Sequence, residues 1–311
     1  MSDTSSIRSP ELPFGQILLM VYAWISMLLY LCLICTLLRL RRDFAALRSS
    51  YYSLFLLQAI GDFYMFLTVE LVMRPRKFNY FDLFSENMQG FATFSYINLL
   101  ISKTVMCTGH IIISLNRFTA FYKPLEQKQI WSRRTIVGCA ILIWTIAACS
   151  ALPFVMVDSY SINFYLQPSG ILQMYGRGLA VRYDTVQSAV LNAVVVLLCT
   201  IFYTLSLKYA RKTISKRTAV ERRLLLCALA SSFPFCIEFV RSALGLYFSM
   251  DGMTYSYMIT TEFWFYEVEV VVSASAWLQL IINRNLRILM FKQIFGRRFK
   301  GAVANSSNLT L

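Results

Sequence analysis

The sequence predicts an all-α membrane protein, a seven-transmembrane helix bundle followed by a short amphipathic helix. Three observations support this prediction. The 311 residues are 57% hydrophobic but only 15% charged, whereas soluble domains are about a quarter charged. Segments 16–38 and 185–207 contain no Asp, Glu, Lys or Arg and are long enough to cross a hydrocarbon core of about 30 Å. Lysine and arginine cluster in the short segments between such runs.

Seven spans account for the apolar segments and form one domain along the whole chain. Span three is the least apolar because Asn98, Lys103 and His110 interrupt it, but without it the basic loops would fall on alternating sides. The predicted spans are 16–38, 51–73, 91–115, 135–157, 185–207, 224–248 and 261–282.

The distribution of positive charge predicts that the amino terminus lies outside and the carboxyl terminus inside. Of the 30 lysines and arginines, 22 fall in the three inner loops and the tail, and six fall in the amino-terminal segment and the outer loops. Short loops rich in positive charge stay in the cytoplasm. The third inner loop, 208–223, holds seven basic residues and a single acidic residue, Glu221.

Residues 283–300 follow the last span and alternate apolar and basic side chains at helical spacing. Such a pattern predicts an amphipathic helix that lies on the inner leaflet of the bilayer. The apolar residues Leu286, Ile288, Leu289, Phe291 and Phe295 would dip into the interface, while Arg287, Lys292, Arg297 and Arg298 would face the lipid headgroups.

Composition and motifs exclude several functional classes. The net charge of +14 could indicate a nucleic-acid partner, but topology explains the basic clusters, so none is expected. The only histidine, His110, has no metal-ligand spacing around it, and no catalytic constellation or phosphate-binding loop appears. We therefore expect no enzymatic activity, no metal and no cofactor. Span 261–282 lacks lysine, which excludes a retinal Schiff base, and all eight cysteines fall in spans.

Two charged residues fall near the bilayer midplane on consecutive spans. They are Asp62 in span two and Lys103 in span three, placed by counting 1.5 Å per residue from the span ends. Ionisable groups inside a bilayer are costly and are usually paired. We therefore hypothesise that Asp62 and Lys103 form a buried ion pair.

A second group of charges lies near the outer ends of spans six and seven. Glu238 and Arg241 are three residues apart and can pair on one helix face, at a depth similar to that of Glu267 and Glu269. Aromatic residues crowd the same level, namely Tyr247, Phe248, Phe263, Trp264, Phe265 and Tyr266. Two interpretations stay open, namely structural ion pairs that lock helices together, or a pocket open to the outside that suits a small molecule.

Pro234 lies inside span six, where it removes one backbone hydrogen bond and permits a kink. The kink can be purely structural. In a receptor it can also act as a hinge that swings the inner half of the helix, which carries Arg222 and Arg223.

Residues 114–135, SLNRFTAFYKPLEQKQIWSRRT, resemble the inner end of helix three and the following loop in nematode serpentine chemoreceptors. The resemblance is to the gamma class (Srg) superfamily, including close sibling classes such as Srv. It rests on the Asn-Arg-aromatic triplet 116–118, on Pro124 and on the Ile-Trp pair 130–131. It extends to the plan of the chain, with seven spans, short loops and a basic tail.

The resemblance implies a G-protein-coupled receptor in the plasma or ciliary membrane of sensory neurons. Its partners would be a small environmental or pheromone-like ligand and a heterotrimeric G protein. Asn116 and Arg117 would take the place of the Asp-Arg-Tyr motif of rhodopsin-like receptors, with Arg117 facing the G protein. Arg222 and Arg223 would lie at the same coupling surface. Asparagine in place of aspartate implies that the inactive state is restrained differently.

The alternative function is a ligand-gated channel or transporter with a polar path through the bundle. Transporters usually show repeated halves and broken helices near the midplane, and the sequence displays neither. Two departures from rhodopsin-like receptors argue against an aminergic or peptide receptor of that class: no Asn-Pro-x-x-Tyr sequence ends span seven, and residues 231–234 read Ser-Ser-Phe-Pro, without the Trp expected before the proline. Nothing in the sequence indicates an oligomeric state.

Overall fold

The computed structural model describes residues 13–80, 83–157, 162–166, 171–176, 179–212 and 216–295. This part of the chain contains seven helices that are long and apolar enough to cross a membrane, so the predicted seven-transmembrane bundle is confirmed. The helices are α1 Phe14–Leu40, α2 Ser50–Lys77, α3 Gln89–Tyr122, α4 Arg133–Met156, α5 Leu179–Lys212, α6 in two segments, Lys216–Ser232 and Pro234–Met250, and α7 Thr254–Ile282.

Shorter elements join these helices on both sides of the bundle. A 3-10 turn, Ala45–Arg48, links α1 to α2, and a helical turn, Gln127–Ile130, links α3 to α4. Between α4 and α5 the strands β1 (Ile162–Leu166) and β2 (Leu172–Gly176) pair antiparallel. This β-hairpin was not predicted from the sequence. Its position defines the hairpin side of the bundle, and the opposite end is called the Arg117 side.

Helix α3 is the centre of the bundle and packs against α2, α4 and α5. Helix α5 packs on α6, α6 on α7, and α7 on α1, which closes the ring. Helices α2 and α3 approach closely at glycines. A Cβ atom on Gly109 would lie 1.8 Å from the Oε1 atom of Gln58, and one on Gly61 would lie 2.8 Å from Val105. Small residues permit such close packing of membrane helices.

Helix α2 extends past its predicted end at residue 73. It contains a π-helical turn, Thr68–Met73, and continues as a final turn, Arg74–Lys77. Arg74, Arg76 and Lys77 were assigned to an outer loop from the sequence, and this assignment is wrong. All three side chains are buried, because the helix continues through Pro75 and carries them into the bundle.

Helix α6 is interrupted at Phe233, between Ser232 and Pro234. Pro234 has no N–H to donate, and it begins the second segment at a position that tolerates proline. The backbone N–H of Phe233 instead donates to the carbonyl of Ala230, at 3.2 Å. Phe233 itself keeps helical φ and ψ angles of −59° and −42°, so the helical hydrogen bonds are interrupted locally at the proline where the sequence predicted a kink.

Helix α8, Arg284–Phe295, follows α7 directly; residues 296–300 of the predicted amphipathic segment lie outside the described residues. Arg287 donates to the carbonyls of Leu280 and Ile281, at 3.0 and 3.2 Å, and so caps the end of α7. Leu286 was predicted to face lipid, and this is wrong. It is fully buried in the bundle core, whereas Phe291 is exposed.

Candidate functional site

A cavity of about 170 Å³ opens on the hairpin side. The end of α2 and residues of α3, α5, α6 and α7 form its walls, and β2 contributes Leu172, Gln173 and Met174. Six charged side chains line it, which are Arg76, Lys77, Lys103, Asp184, Arg241 and Glu262. A concave, partly apolar site with a few polar groups is the usual form of a small-molecule pocket.

A buried carboxylate, Glu238 on α6, organises the charges at the base of this cavity. Its Oε1 atom lies 2.5 Å from Nη2 of Arg241 and 3.5 Å from Nζ of Lys103. Nε of Arg241 also lies 3.4 Å from Glu267 on α7. The predicted Glu238–Arg241 pair is therefore present. One carboxylate that serves two cations joins α3 to α6, and Arg241 joins α6 to α7.

Neutral polar groups complete the hydrogen bonds of this cluster. Lys103 donates to the hydroxyl of Ser188 on α5, at 2.6 Å. Asn192 donates to Ser242 at 2.9 Å and to Glu238 at 3.4 Å. Buried charges need such partners to offset the cost of leaving water. The cluster thereby joins α3, α5, α6 and α7 at one level of the bundle.

The hypothesis of an Asp62–Lys103 ion pair is wrong. The carboxylate of Asp62 accepts hydrogen bonds from the hydroxyl of Tyr30 and from Nε2 of Gln58, each at 2.8 Å. Lys103 instead reaches Glu238 on α6. The two side chains point to different parts of the bundle, because Asp62 on α2 turns towards Tyr30 on α1 and Lys103 on α3 turns towards α5 and α6.

Arg74 connects the π-helical turn of α2 to α7. It pairs with Glu70 on its own helix, and its Nη2 atom lies 3.1 Å from Glu269. All three side chains are almost completely buried. Glu269 was predicted to lie in the ligand pocket, but it does not line the cavity. It belongs to this separate interhelical cluster.

Arg76 and Lys77, at the end of α2, line the cavity. Lys77 pairs with Glu262 on α7 and lies over the ring of Phe265, with Nζ 4.0 Å from the ring centroid. Nη1 of Arg76 donates to the carbonyl of Leu172 on β2, at 3.0 Å. These contacts fasten the end of α2 to α7 and to the hairpin.

The aromatic residues predicted near the pocket divide into two groups. Trp264 and Phe265 are buried and line the cavity. Tyr247, Phe263 and Tyr266 are exposed on the surface of the bundle, where lipid would surround them. Of the residues predicted to form the pocket, Arg241 and Trp264 line the cavity. Glu238 and Glu267 stand behind Arg241 as its partners.

The second candidate site lies at the other end of α3. Nη1 of Arg117 lies 2.6 Å from Oε2 of Glu221 on α6, and Nη2 donates to Oδ1 of Asn116 at 2.5 Å. The guanidinium also lies over the ring of Tyr51 on α2, 4.4 Å from its centroid. Arg117 is only 2% exposed, so α2, α3 and α6 enclose it.

Helix α7 and the loop after α3 are tied to the same cluster. Gln279 on α7 donates to the hydroxyl of Tyr51, and Asn283 donates to that of Tyr52, at 2.9 Å. Nε1 of Trp131 donates to Thr119 at 2.7 Å. The tryptophan of the Ile-Trp pair is thus buried against α3 and fixes the loop, which gives this motif a structural role.

Asn116 links the start of α2 to Arg117 through two side-chain hydrogen bonds. Its Nδ2 atom donates to Ser50 at the start of α2, at 2.9 Å, while its Oδ1 atom orients Arg117. Arg222 donates to the carbonyl of Ala210 on α5, at 2.5 Å, and Arg223 is exposed on α6. Both follow Glu221 directly, at the end of α6 that meets Arg117.

Several residues of the two sites were not identified from the sequence. Arg76 and Lys77 were hidden because the helix seemed to end before them. Asp184 escaped notice because it lies just before the predicted start of span five. Glu221 carried a usable signal, since it is the only acidic residue among seven basic ones in 208–223. A single acid there is a natural partner for a buried arginine.

Comparison with protein-family models finds a match to the serpentine type 7TM GPCR chemoreceptor Srv over residues 19–296. The match includes α2 to α8 completely and α1 from residue 19 onwards. A comparison with curated protein sequences gives no match. Srv is one of the sibling classes within the resemblance drawn from 114–135, and that resemblance is confirmed.

Proposed function

The chain belongs to the Srv family of serpentine seven-transmembrane GPCR chemoreceptors, and we propose that it detects a small molecule in the hairpin-side cavity and activates a heterotrimeric G protein through its Arg117 side. In this proposal the hairpin side faces the cell exterior. This is the orientation that the positive charge of the loops on the Arg117 side favours. The multi-pass membrane protein would act in the plasma or ciliary membrane of a sensory neuron.

The observation that carries the proposal is the Arg117–Glu221 ion pair. It joins the ends of α3 and α6 at the side opposite the cavity, and it covers the arginine of the triplet that resembles a coupling motif. Moving the end of α6 away from α3 breaks this pair and exposes Arg117. We therefore assign the described conformation to the inactive state.

The path between the two sites runs along α6. Glu238 and Arg241, at the base of the cavity, lie on the segment after the Phe233 break, and Glu221 lies on the segment before it. A ligand that displaces the ion pairs of Arg241 would reorient the segment Pro234–Met250. Pro234 would then act as the hinge through which the segment Lys216–Ser232, with Arg222 and Arg223, swings away from α3.

A ligand drives this change only through a difference in its affinity for the two conformations. The cluster around Glu238 provides the means. Its ion pairs join α3, α6 and α7, and its hydrogen bonds reach α5, so small displacements of one helix change the distances between polar groups on the others. A ligand that fits the displaced arrangement better stabilises the active state.

The test is a G-protein activation assay in cells, in which wild type and Arg117→Ala are compared at matched surface expression. The ligands are a panel of small volatile and pheromone-like compounds. We expect a response in the wild type that the variant loses. Arg223→Ala, which removes an exposed arginine of the same side, should weaken coupling less than Arg117→Ala.

A different outcome would contradict the receptor proposal. A ligand-evoked current or uptake that persists in Arg117→Ala, without activation of a G protein in the wild type, would assign the chain to the channel or transporter class instead.

A further inference from the structure

Arg76 differs from the other cations that line the cavity. Lys77 pairs with Glu262, Lys103 pairs with Glu238, and Arg241 pairs with Glu238 and Glu267. Arg76 forms no ion pair with any residue in the described part of the chain. Its neighbours there are a backbone carbonyl, that of Leu172, and the ring of Phe164, 5.5 Å from the guanidinium carbon.

This missing counter-charge matters because Arg76 is deeply placed. It is only 3% exposed, and its Nε atom is buried without a hydrogen-bond partner. A buried charge without a partner is strongly unfavourable. A lysine or a carboxylate can relieve such a cost by becoming neutral, but a guanidinium stays protonated in proteins. The site therefore favours any anion that can reach the free edge of Arg76.

We propose that the ligand of the cavity is an anion, a small carboxylate, whose charged group pairs with Arg76. This inference rests on the proposed function, because it names the class of ligand for the same cavity. The guanidinium presents a flat donor edge that matches a carboxylate. Trp264, Phe265 and Leu99 line the same cavity and would contact the apolar remainder of such a molecule.

Asp184 is the other charged group of the cavity that pairs with no ion among the described residues, and it raises the possibility of a cationic ligand. Its carboxylate receives a hydrogen bond from Ser188, at 3.4 Å, and it is only partly buried. Contact with water and protonation can each lower the free-energy cost of leaving a partly exposed carboxylate unpaired. Arg76 has neither outlet, so the structure favours an acid over an amine.

The test measures ligand binding to the purified full-length receptor in detergent, as the rise in melting temperature with probe concentration. The probes are octanoate and phenylacetate, the corresponding amides octanamide and phenylacetamide, and octylamine. The proteins are wild type, Arg76→Gln and Arg76→Lys. Arg182→Gln is the matched control, because it removes an exposed cation from α5 that does not line the cavity.

We expect the acids to stabilise the wild type and Arg182→Gln, and the amides to stabilise them much less. In Arg76→Gln the apparent affinity for the acids should fall by about 10- to 100-fold, the range expected for a lost hydrogen bond to a charged group. Arg76→Lys should retain part of the affinity. Glutamine removes the charge from both tests equally, so a merely structural role of Arg76 would affect acids and amides alike.

Equal stabilisation by amides and acids, preferential binding of octylamine, or unchanged acid binding in Arg76→Gln would each overturn the inference. So would the absence of any effect of the acids on wild type at millimolar concentration. The binding assay needs no G protein. Acid binding through Arg76 in a chain that fails to activate a G protein would therefore uphold the inference and refute the proposed coupling.

Discussion

Replacing Arg74 with methionine should destabilise the bundle more than any substitution of an exposed charge. Arg74 is fully buried between Glu70 on the π-helical turn and Glu269 on α7. Methionine fills a similar volume and removes the charge. Two buried carboxylates then lose their counter-charge, so each must remain unpaired or take up a proton.

The burial of this ion pair sets how much stability the substitution should remove. Removing one partner of a buried ion pair costs about 3–5 kcal/mol, because the remaining charge is left uncompensated. At about 2 °C per kcal/mol for a chain of this size, the apparent Tm should fall by about 6–10 °C. Solvent does little to reduce this value, since the side chains of Glu70 and Glu269 are 1% and 2% exposed.

The assay is thermal unfolding of the purified protein in detergent, followed by tryptophan fluorescence. Lys123→Met is the control, since Lys123 pairs with Glu126 at the surface and its loss should leave Tm unchanged. The triple variant Arg74→Met with Glu70→Gln and Glu269→Gln should recover most of the loss, because no buried charge remains. A wild-type Tm for Arg74→Met, or a triple variant less stable than the single one, would refute the reasoning.

Two further predictions concern the cavity base and the break in α6. A double-mutant cycle between Lys103→Gln and Glu238→Gln should give a coupling energy of about 0.5–3 kcal/mol in the free energy of unfolding. The stability effects of Asp62→Asn and Lys103→Gln should add, because the two residues belong to separate clusters. Strong coupling between Asp62 and Lys103 would contradict that separation. Pro234→Ala should favour a continuous helix and lower maximal G-protein activation while leaving ligand affinity nearly unchanged, and an undiminished maximal response would argue against the hinge.

The seven-helix fold was predictable because it depends on local properties of the sequence. A chain can cross a bilayer where it has an uninterrupted apolar run of about 20 residues. Segments 16–38 and 185–207 clearly meet this requirement. Even span three, interrupted by Lys103, was placed correctly. Its polar residues mark the helix that is surrounded by other helices, as the packing of α3 on three neighbours demonstrates.

The partners of the buried charges were harder to predict. Depth follows from counting residues, and it placed Asp62 and Lys103 at a similar level. The direction of a side chain depends on how each helix is rotated, which packing against several neighbours decides. Pairs on one helix, such as Glu238 and Arg241, need no such information, and that pair was found.

The end of α2 and the hairpin were missed for different reasons. Helix α2 passes through a π-helical turn and continues past Met73 to Lys77, and no pattern in the sequence predicts this continuation. The hairpin did leave a signal, because 162–166 and 171–175 are rich in β-branched, aromatic and other apolar residues and Pro168 and Gly170 lie between them.

The Arg117 site was located by the resemblance of 114–135 rather than by physical reasoning. A single Asn-Arg-Phe triplet has little meaning by itself, and a basic residue at that end of a span is expected from topology alone. The structure shows which contacts Arg117 makes. Arg117 is buried rather than exposed to headgroups, and Glu221 and Tyr51 enclose it.

The most direct test of the account is the ligand-independent G-protein activation of Glu221→Gln, measured at matched surface expression. Loss of a charge-assisted contact worth about 1 kcal/mol, after allowance for the partial exposure of Glu221, shifts the balance of conformations about fivefold. We predict a rise in basal activity of about that size, and none in Glu126→Gln, which removes an exposed acid from the loop after α3. Basal activity equal to or below that of the wild type in Glu221→Gln would contradict the claim that this ion pair holds the receptor inactive.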